Sequence, residues 1–138
     1  MHSPGAPVVQ PSPSVQPGPS QSECLMAAGA HLAVLLPHVG VVVPLVLWLA
    51  NKDTAPFAAY QAKQAFWFQL LTIVGFWMLV VLAITLGLVT FGIGLVAALP
   101  LLFVWHFAAD VYGIIGAVYS AQARDFRYIL IGSMVRPD

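Results

Sequence analysis

"QAFWFQLLTIVGFWMLVVLAITL" (residues 64–86) contains no Asp, Glu, Lys or Arg, and the charge-free run continues to Ala109. As a helix, about 20 apolar residues cross the hydrocarbon of a bilayer, so this run alone is long enough for nearly two crossings. The rest of the chain has the same character. Its 138 residues are 60% hydrophobic and 7% charged, with a mean hydropathy of +0.89. A soluble domain carries about 25% charged residues, and so few charges cannot coat a water-facing surface. The reading is one integral membrane domain, all-α, in contact with the lipid bilayer. Zero net charge gives no general attraction to nucleic acid. The single cysteine, Cys24, leaves no internal disulfide framework.

Working outward, "LGLVTFGIG" (86–94) clusters three glycines and reads as the turn after a span over 65–86. A further span follows over 95–121, kinked at Pro100. Before residue 64, "NKDTAPFAAYQAKQ" (51–64) is a polar connection, in which Asp53 or Thr54 can cap the next helix and Pro56 sits in its first turn. The helix is expected to start along the membrane surface. Another apolar segment covers 25–50 and holds Pro37, Gly40 and Pro44. It reads as a kinked first span, with a re-entrant hairpin turning near "PHVG" (37–40) as the alternative.

The expected architecture is therefore a three-span helical bundle over 25–122, with a C-terminal tail over 123–138 and a disordered Pro/Ser/Gln-rich tail over 1–24. Residues 1–22 hold six of the eleven prolines, and such a segment buries too little apolar surface to offset its ordering entropy. The tail is read as solvated, or alternatively as a docking tail for a proline-binding partner. It lacks the basic start of a signal peptide. The C-terminal stretch "QARDFRYILIGSMVRPD" carries a short apolar patch suited to the membrane interface.

With three spans, Lys52, Lys63, Arg124, Arg127 and Arg136 all fall on one side. The positive-inside rule then places the first loop and the C-terminus in the cytoplasm and the N-terminal tail outside. The hairpin alternative brings the tail inside as well.

No zinc-type cluster, phosphate loop or nucleophile motif appears, so neither a cofactor nor enzymatic activity is expected. His31, His38, His106 and Asp110 could be read as a metal set, but His31 and His38 lie two turns apart on one helix and match no paired-ligand spacing. Asp110 is unusual, because it stands within a long apolar helix with His106 one turn earlier. His38 is expected at a similar depth, near the membrane centre. A bare carboxylate there is costly, which makes Asp110, His106 and His38 candidates for a polar membrane centre. One reading is a proton- or ion-responsive site, the other an interhelical hydrogen bond that holds the bundle. Ala109, Gly113, Ala117 and Ala121 recur at four-residue steps, so helices can approach closely there. They form either a homodimer face or a packing face within the chain. Gln61, Ala65, Gln69 and Thr72 share a face of the second span, pointing to neighbouring helices or headgroups.

The stretch "PLVLWLANKDTAPFAAYQAKQAFWFQL" (44–70) resembles a family of small bacterial membrane proteins of unassigned function, distantly similar to the Tic-twenty-type import component of the chloroplast inner envelope. The motif residues are His31 and Leu32, then Pro44, Leu45, Trp48 and Leu49. Lys52, Asp53, Pro56 and Phe57 follow, and then Lys63, Ala65, Phe68 and Gln69. The likeness covers about residues 27–132. The chain departs from the family at Ala58, Ala59, Tyr60 and Gln61, where acids and a His are usual, at Trp67, and at Ile129, which replaces a proline. The resemblance implies a bacterial inner-membrane location. The leading functional expectation is a non-enzymatic membrane subunit or scaffold that contacts other membrane proteins. The alternative is a transport or protein-translocation component with its polar centre at Asp110.

Overall fold

The computed structural model describes residues 18–135. The expected disorder of the N-terminal tail concerns mainly residues outside this range, as does Arg136. Four α-helices are described: α1 (Gln21–Leu32), α2 (Val42–Asn51), α3 (Pro56–Val89) and α4 (Ile93–Ala121). No strand occurs among the described residues.

Helix α1 begins at a capping box. Ser20 Oγ accepts from the Glu23 amide at 3.3 Å, and Glu23 Oε2 accepts from the Ser20 amide at 2.9 Å. The helix therefore starts inside the stretch 1–24 that was expected to be tail. It continues through a 3₁₀ turn (Ala33–Leu35) and stops at Pro37, which has no amide hydrogen to extend the ladder. The chain then reverses. His38 adopts a left-handed conformation with φ 65°, and the Gly40 amide donates to Leu36 O at 2.8 Å. A Cβ on Gly40 would lie 1.9 Å from Ala33 O, so only glycine fits this crossing. Helix α2 returns along α1, and Leu47 and Trp48 pack with Ala30 of α1 and Ala62 and Ala65 of α3.

The single kinked span expected over 25–50 is thus divided into two short helices joined by a turn. Two described helices, α3 and α4, are long and apolar enough to cross a membrane. The expected loop caps also differ. The N-cap of α3 is Ala55 with no side-chain cap, while Pro56 occupies the first turn as expected. Helix α3 then runs unbroken to Val89, beginning nine residues before the expected start of the span. The turn to α4 is tight, with Thr90 Oγ1 donating to Leu86 O and accepting from the Gly94 amide.

Helices α3 and α4 pair antiparallel, with Phe68 beside Tyr112, Phe76 beside His106, and Leu86 beside Gly94. Helix α1 packs against both, and α2 packs on α3. Burial is concentrated at one end. In α3 it runs from Ala58 to Gln69, and in α4 from Ala109 to Ser120. Between Leu70 and Ala108 only Ala83 is buried. The molecule is a packed end from which a bare two-helix hairpin projects. Leu70 to Val89 and Ile93 to Tyr112 are each about 20 residues, or ~30 Å of helix, which is one hydrocarbon thickness.

The segment after α4 folds back over the packed end. Phe126, Tyr128, Ile131 and Val135 are buried against Tyr60, Phe68 and Tyr112, and the Ile129 amide donates to Tyr112 Oη at 3.1 Å. Ile129, Leu130 and Met134 point outward, which places the expected interfacial patch on the outer side of this segment.

Candidate functional site

The packed end is organised by a polar cluster drawn from four parts of the chain. His31 comes from α1, Gln61 from the first turns of α3, Ser120 from the last turn of α4, and Tyr128 from the returning segment. All four are at most 1% exposed. Gln61 Nε2 donates to Asp125 Oδ1 at 2.8 Å, and a carboxylate only accepts, so the orientation of the amide is fixed. Gln61 Oε1 therefore faces His31 Nε2 at 3.1 Å and Ser120 Oγ at 3.3 Å, and it accepts from both. That puts the imidazole hydrogen on Nε2. The bare Nδ1 accepts from Tyr128 Oη at 2.8 Å. One neutral tautomer satisfies the whole set.

The electrostatics agree with this assignment. Burial pushes the His31 imidazole down to about 4, although its hydrogen bond to Gln61 acts in the opposite sense. Burial, helped by the neighbouring Tyr112, raises the Tyr128 phenol well above its ordinary value. Neither group exchanges a proton near neutrality. This cluster clamps three helices to the returning segment and has no open face for chemistry. Aromatic rings close over it: Phe68 stacks on Tyr128 at 3.9 Å, and Phe126 meets the His31 ring edge-on at 5.6 Å.

Sequence reasoning placed Gln61 and Gln69 on a face turned toward neighbouring helices or headgroups. The structure has Gln69 Nε2 donating to Ala30 O at 3.1 Å. What it missed was the partnership of His31 with Tyr128. The available signal was a His in a small-residue helix and a Tyr in an apolar patch, and nothing in the sequence joins two residues 97 positions apart.

The candidates for a polar membrane centre occupy a second place. Asp110, His106 and His38 line one small cavity of about 20 Å³, together with Gln69 and Thr72. Asp110 Oδ1 is sealed from solvent and has no hydrogen-bond partner. The pairing of Phe68 with Tyr112 and of Gly75 with Trp105 sets Asp110 near the boundary between packed end and bare hairpin. It therefore lies toward the inner end of the hairpin, not at its middle. His31 belongs to the other cluster. Among the described residues, no three His, Cys, Asp or Glu side chains stand close enough to hold one metal ion.

Of the four-residue stripe, Ala109, Gly113 and Ala117 are buried and Ala121 is exposed. A Cβ on Gly113 would lie 2.4 Å from Val34 Cγ1 and 3.2 Å from His31 O. The buried part of the stripe faces the α1 region of the same chain. The four described basic residues gather at the packed end. Lys63 Nζ lies 5.3 Å from the Trp48 ring centre, Arg124 stands 4.6 Å from that of Tyr119, and Arg127 pairs with Asp125 at 2.9 Å, while Lys52 is exposed just after α2. The first residues of α1 lie at this end too, because the hairpin brings the chain in and out on one side.

Residues 22–135 match the family model described as the magnetosome magnetite crystal formation protein family. No curated protein and no solved structure matches the chain, and the distant likeness to the Tic-twenty-type import component finds no support. With nearly all of the described fold inside the matched range, the chain belongs to the magnetosome magnetite crystal formation protein family.

Proposed function

We propose that this chain is a non-enzymatic scaffold in the membrane around a forming magnetite crystal, acting through contacts with other membrane proteins. The family description supports the setting. The observation that carries the reading is the bare hairpin. Its two helices bury almost nothing within the chain, so their surface is available to lipid and to neighbouring helices. The polar residues of the packed end satisfy one another, which supports a holding role over a chemical one. Two crossing helices also cannot enclose an aqueous path by themselves, which disfavours the transport alternative for a single copy. We place the packed end, with Lys52, Lys63, Arg124 and Arg127, in the cytoplasm by the positive-inside rule. The N-terminal tail joins it there.

Photo-cross-linking in cells tests the scaffold. A photoreactive residue at exposed Val96 or Phe103 should give discrete protein adducts, including any formed with a second copy of this chain. Adducts with lipid alone, together with ion flux through the purified protein in liposomes, would replace the scaffold by the transport alternative.

A further inference from the structure

We propose that the small cavity beside the α1–α2 turn is a proton-exchange site, in which Asp110 and one of the two histidines lining it exchange a proton through one bound water. The inference is independent of the scaffold reading and can fail without it.

Asp110, the half-buried His106 and the exposed His38 line this cavity. Asp110 Oδ1 is buried and accepts no hydrogen bond. Among the described residues neither the His38 nor the His106 ring hydrogen-bonds to the protein, in contrast to His31, whose two nitrogens are both engaged. Both rings instead abut Phe76, with centroids 5.7 Å and 6.0 Å away. Helix α4 contributes Asp110 and His106 as titratable groups, and the turn contributes His38. Helix α3 contributes only the uncharged Gln69 and Thr72, and Thr72 gives its hydroxyl hydrogen to Phe68 O at 2.9 Å, so it can only accept. No Lys or Arg occurs between Gln64 and Ala109, so the described lining offers no fixed cation to balance the carboxylate.

The space fits the missing partner. A buried water needs on the order of 10–15 Å³ and two to four polar neighbours, and the cavity offers about 20 Å³ with five polar side chains around it. In the exchange, an imidazolium N–H bond breaks and its proton passes to the water. The water's own hydrogen passes to the Asp110 carboxylate. An ion pair becomes a neutral imidazole and a carboxylic acid, with no change in net charge and no atom gained or lost. The proton first enters from the aqueous phase at the packed end.

The test is infrared spectroscopy of the full chain in lipid nanodiscs across pH. A protonated-carboxyl band, assigned by its loss in Asp110→Asn, should grow and fade with pH and shift on transfer to D₂O. His106→Gln or His38→Gln should move its midpoint by about one pH unit or more. If Asp110→Asn fails to fold, ¹³C-labelled aspartate and the histidine variants still carry the assignment. A band that never changes with pH, no band at any pH, or a midpoint indifferent to both histidine changes would each overturn the site.

Discussion

His31 illustrates how a residue type with an ordinary pKa near neutrality can be made inert. Its ring is enclosed by Gln61, Tyr128 and Phe126, so the charged form could not be hydrated. Folding therefore requires the neutral form, and the consequence can be measured. The unfolded chain takes up a proton near 6.5, the folded one only near 4. The unfolded state thus binds more protons between these values, and stability falls as pH falls through that window, while above about 6.5 the contribution is complete. Acidification from about pH 7 to 5 should cost roughly 2 kcal/mol, read as a lowered unfolding midpoint in detergent. His31→Gln should flatten this dependence; an unchanged slope would mean that the imidazole is accessible to water. Tyr128→Phe removes the hydroxyl that donates to Nδ1 and leaves a buried acceptor bare. It should cost about 1–3 kcal/mol at neutral pH, measured in the same unfolding assay.

Close approach of α1 to α4 depends on side chains that are nearly absent. Gly113→Leu would drive a side chain into Val34 and the His31 carbonyl, and the expected loss is on the order of 1–3 kcal/mol. Ala121→Leu, at the exposed end of the same stripe, should change stability by no more than about 0.5 kcal/mol. Equal effects at both positions, read as folded yield and unfolding midpoint, would show that the stripe has no packed face. The helices carrying these residues were legible to different degrees. Helices α3 and α4 follow from hydropathy, because 65–86 is long and uncharged and 95–121 is long with Asp110 as its single charged residue. Hydropathy could not divide 25–50, since a mainly apolar segment of 26 residues suits one span or two short helices equally. Pro37 and Gly40 were the local signal, and the hairpin reading rested on them. Their effect is decided by α3, whose Ala62 and Ala65 accept α1 and α2 side by side. Asp53 and Thr54 looked like caps by residue type, yet the connection is so short that the backbone enters α3 at Ala55–Pro56 without them. At the candidate site, Asp110, His106 and His38 were legible as unusual polar residues in apolar surroundings. The His31 clamp was not, because its partners come from separate parts of the chain.

The hairpin also changes where the ends of the protein lie. On the proposed reading, with α3 and α4 as the crossing helices, the described ends of the chain, Gly18 and Val135, share one side with the 52–55 loop. Cys24 is buried, so it is a poor reporter; Gly18→Cys in a Cys24→Ala background places the thiol at an exposed position before α1. An impermeant maleimide should label it in inside-out vesicles and leave it unlabelled in intact spheroplasts. The opposite pattern would restore a crossing before residue 50.

The clamp between His31 and Tyr128 has a consequence in time. During synthesis the α3–α4 hairpin can enter the bilayer as soon as it leaves the ribosome, whereas His31 must wait for a residue 97 positions later. Until then α1 has no lid and its histidine no donor. The fold therefore closes only after the segment that follows α4 has emerged, and a chain that lacks this segment cannot close it. A chain stopped after Ala123 should insert normally, yet be cut within α1 by membrane proteases far faster than the full protein. Pulse-chase labelling would read this as a short half-life with unaltered membrane targeting.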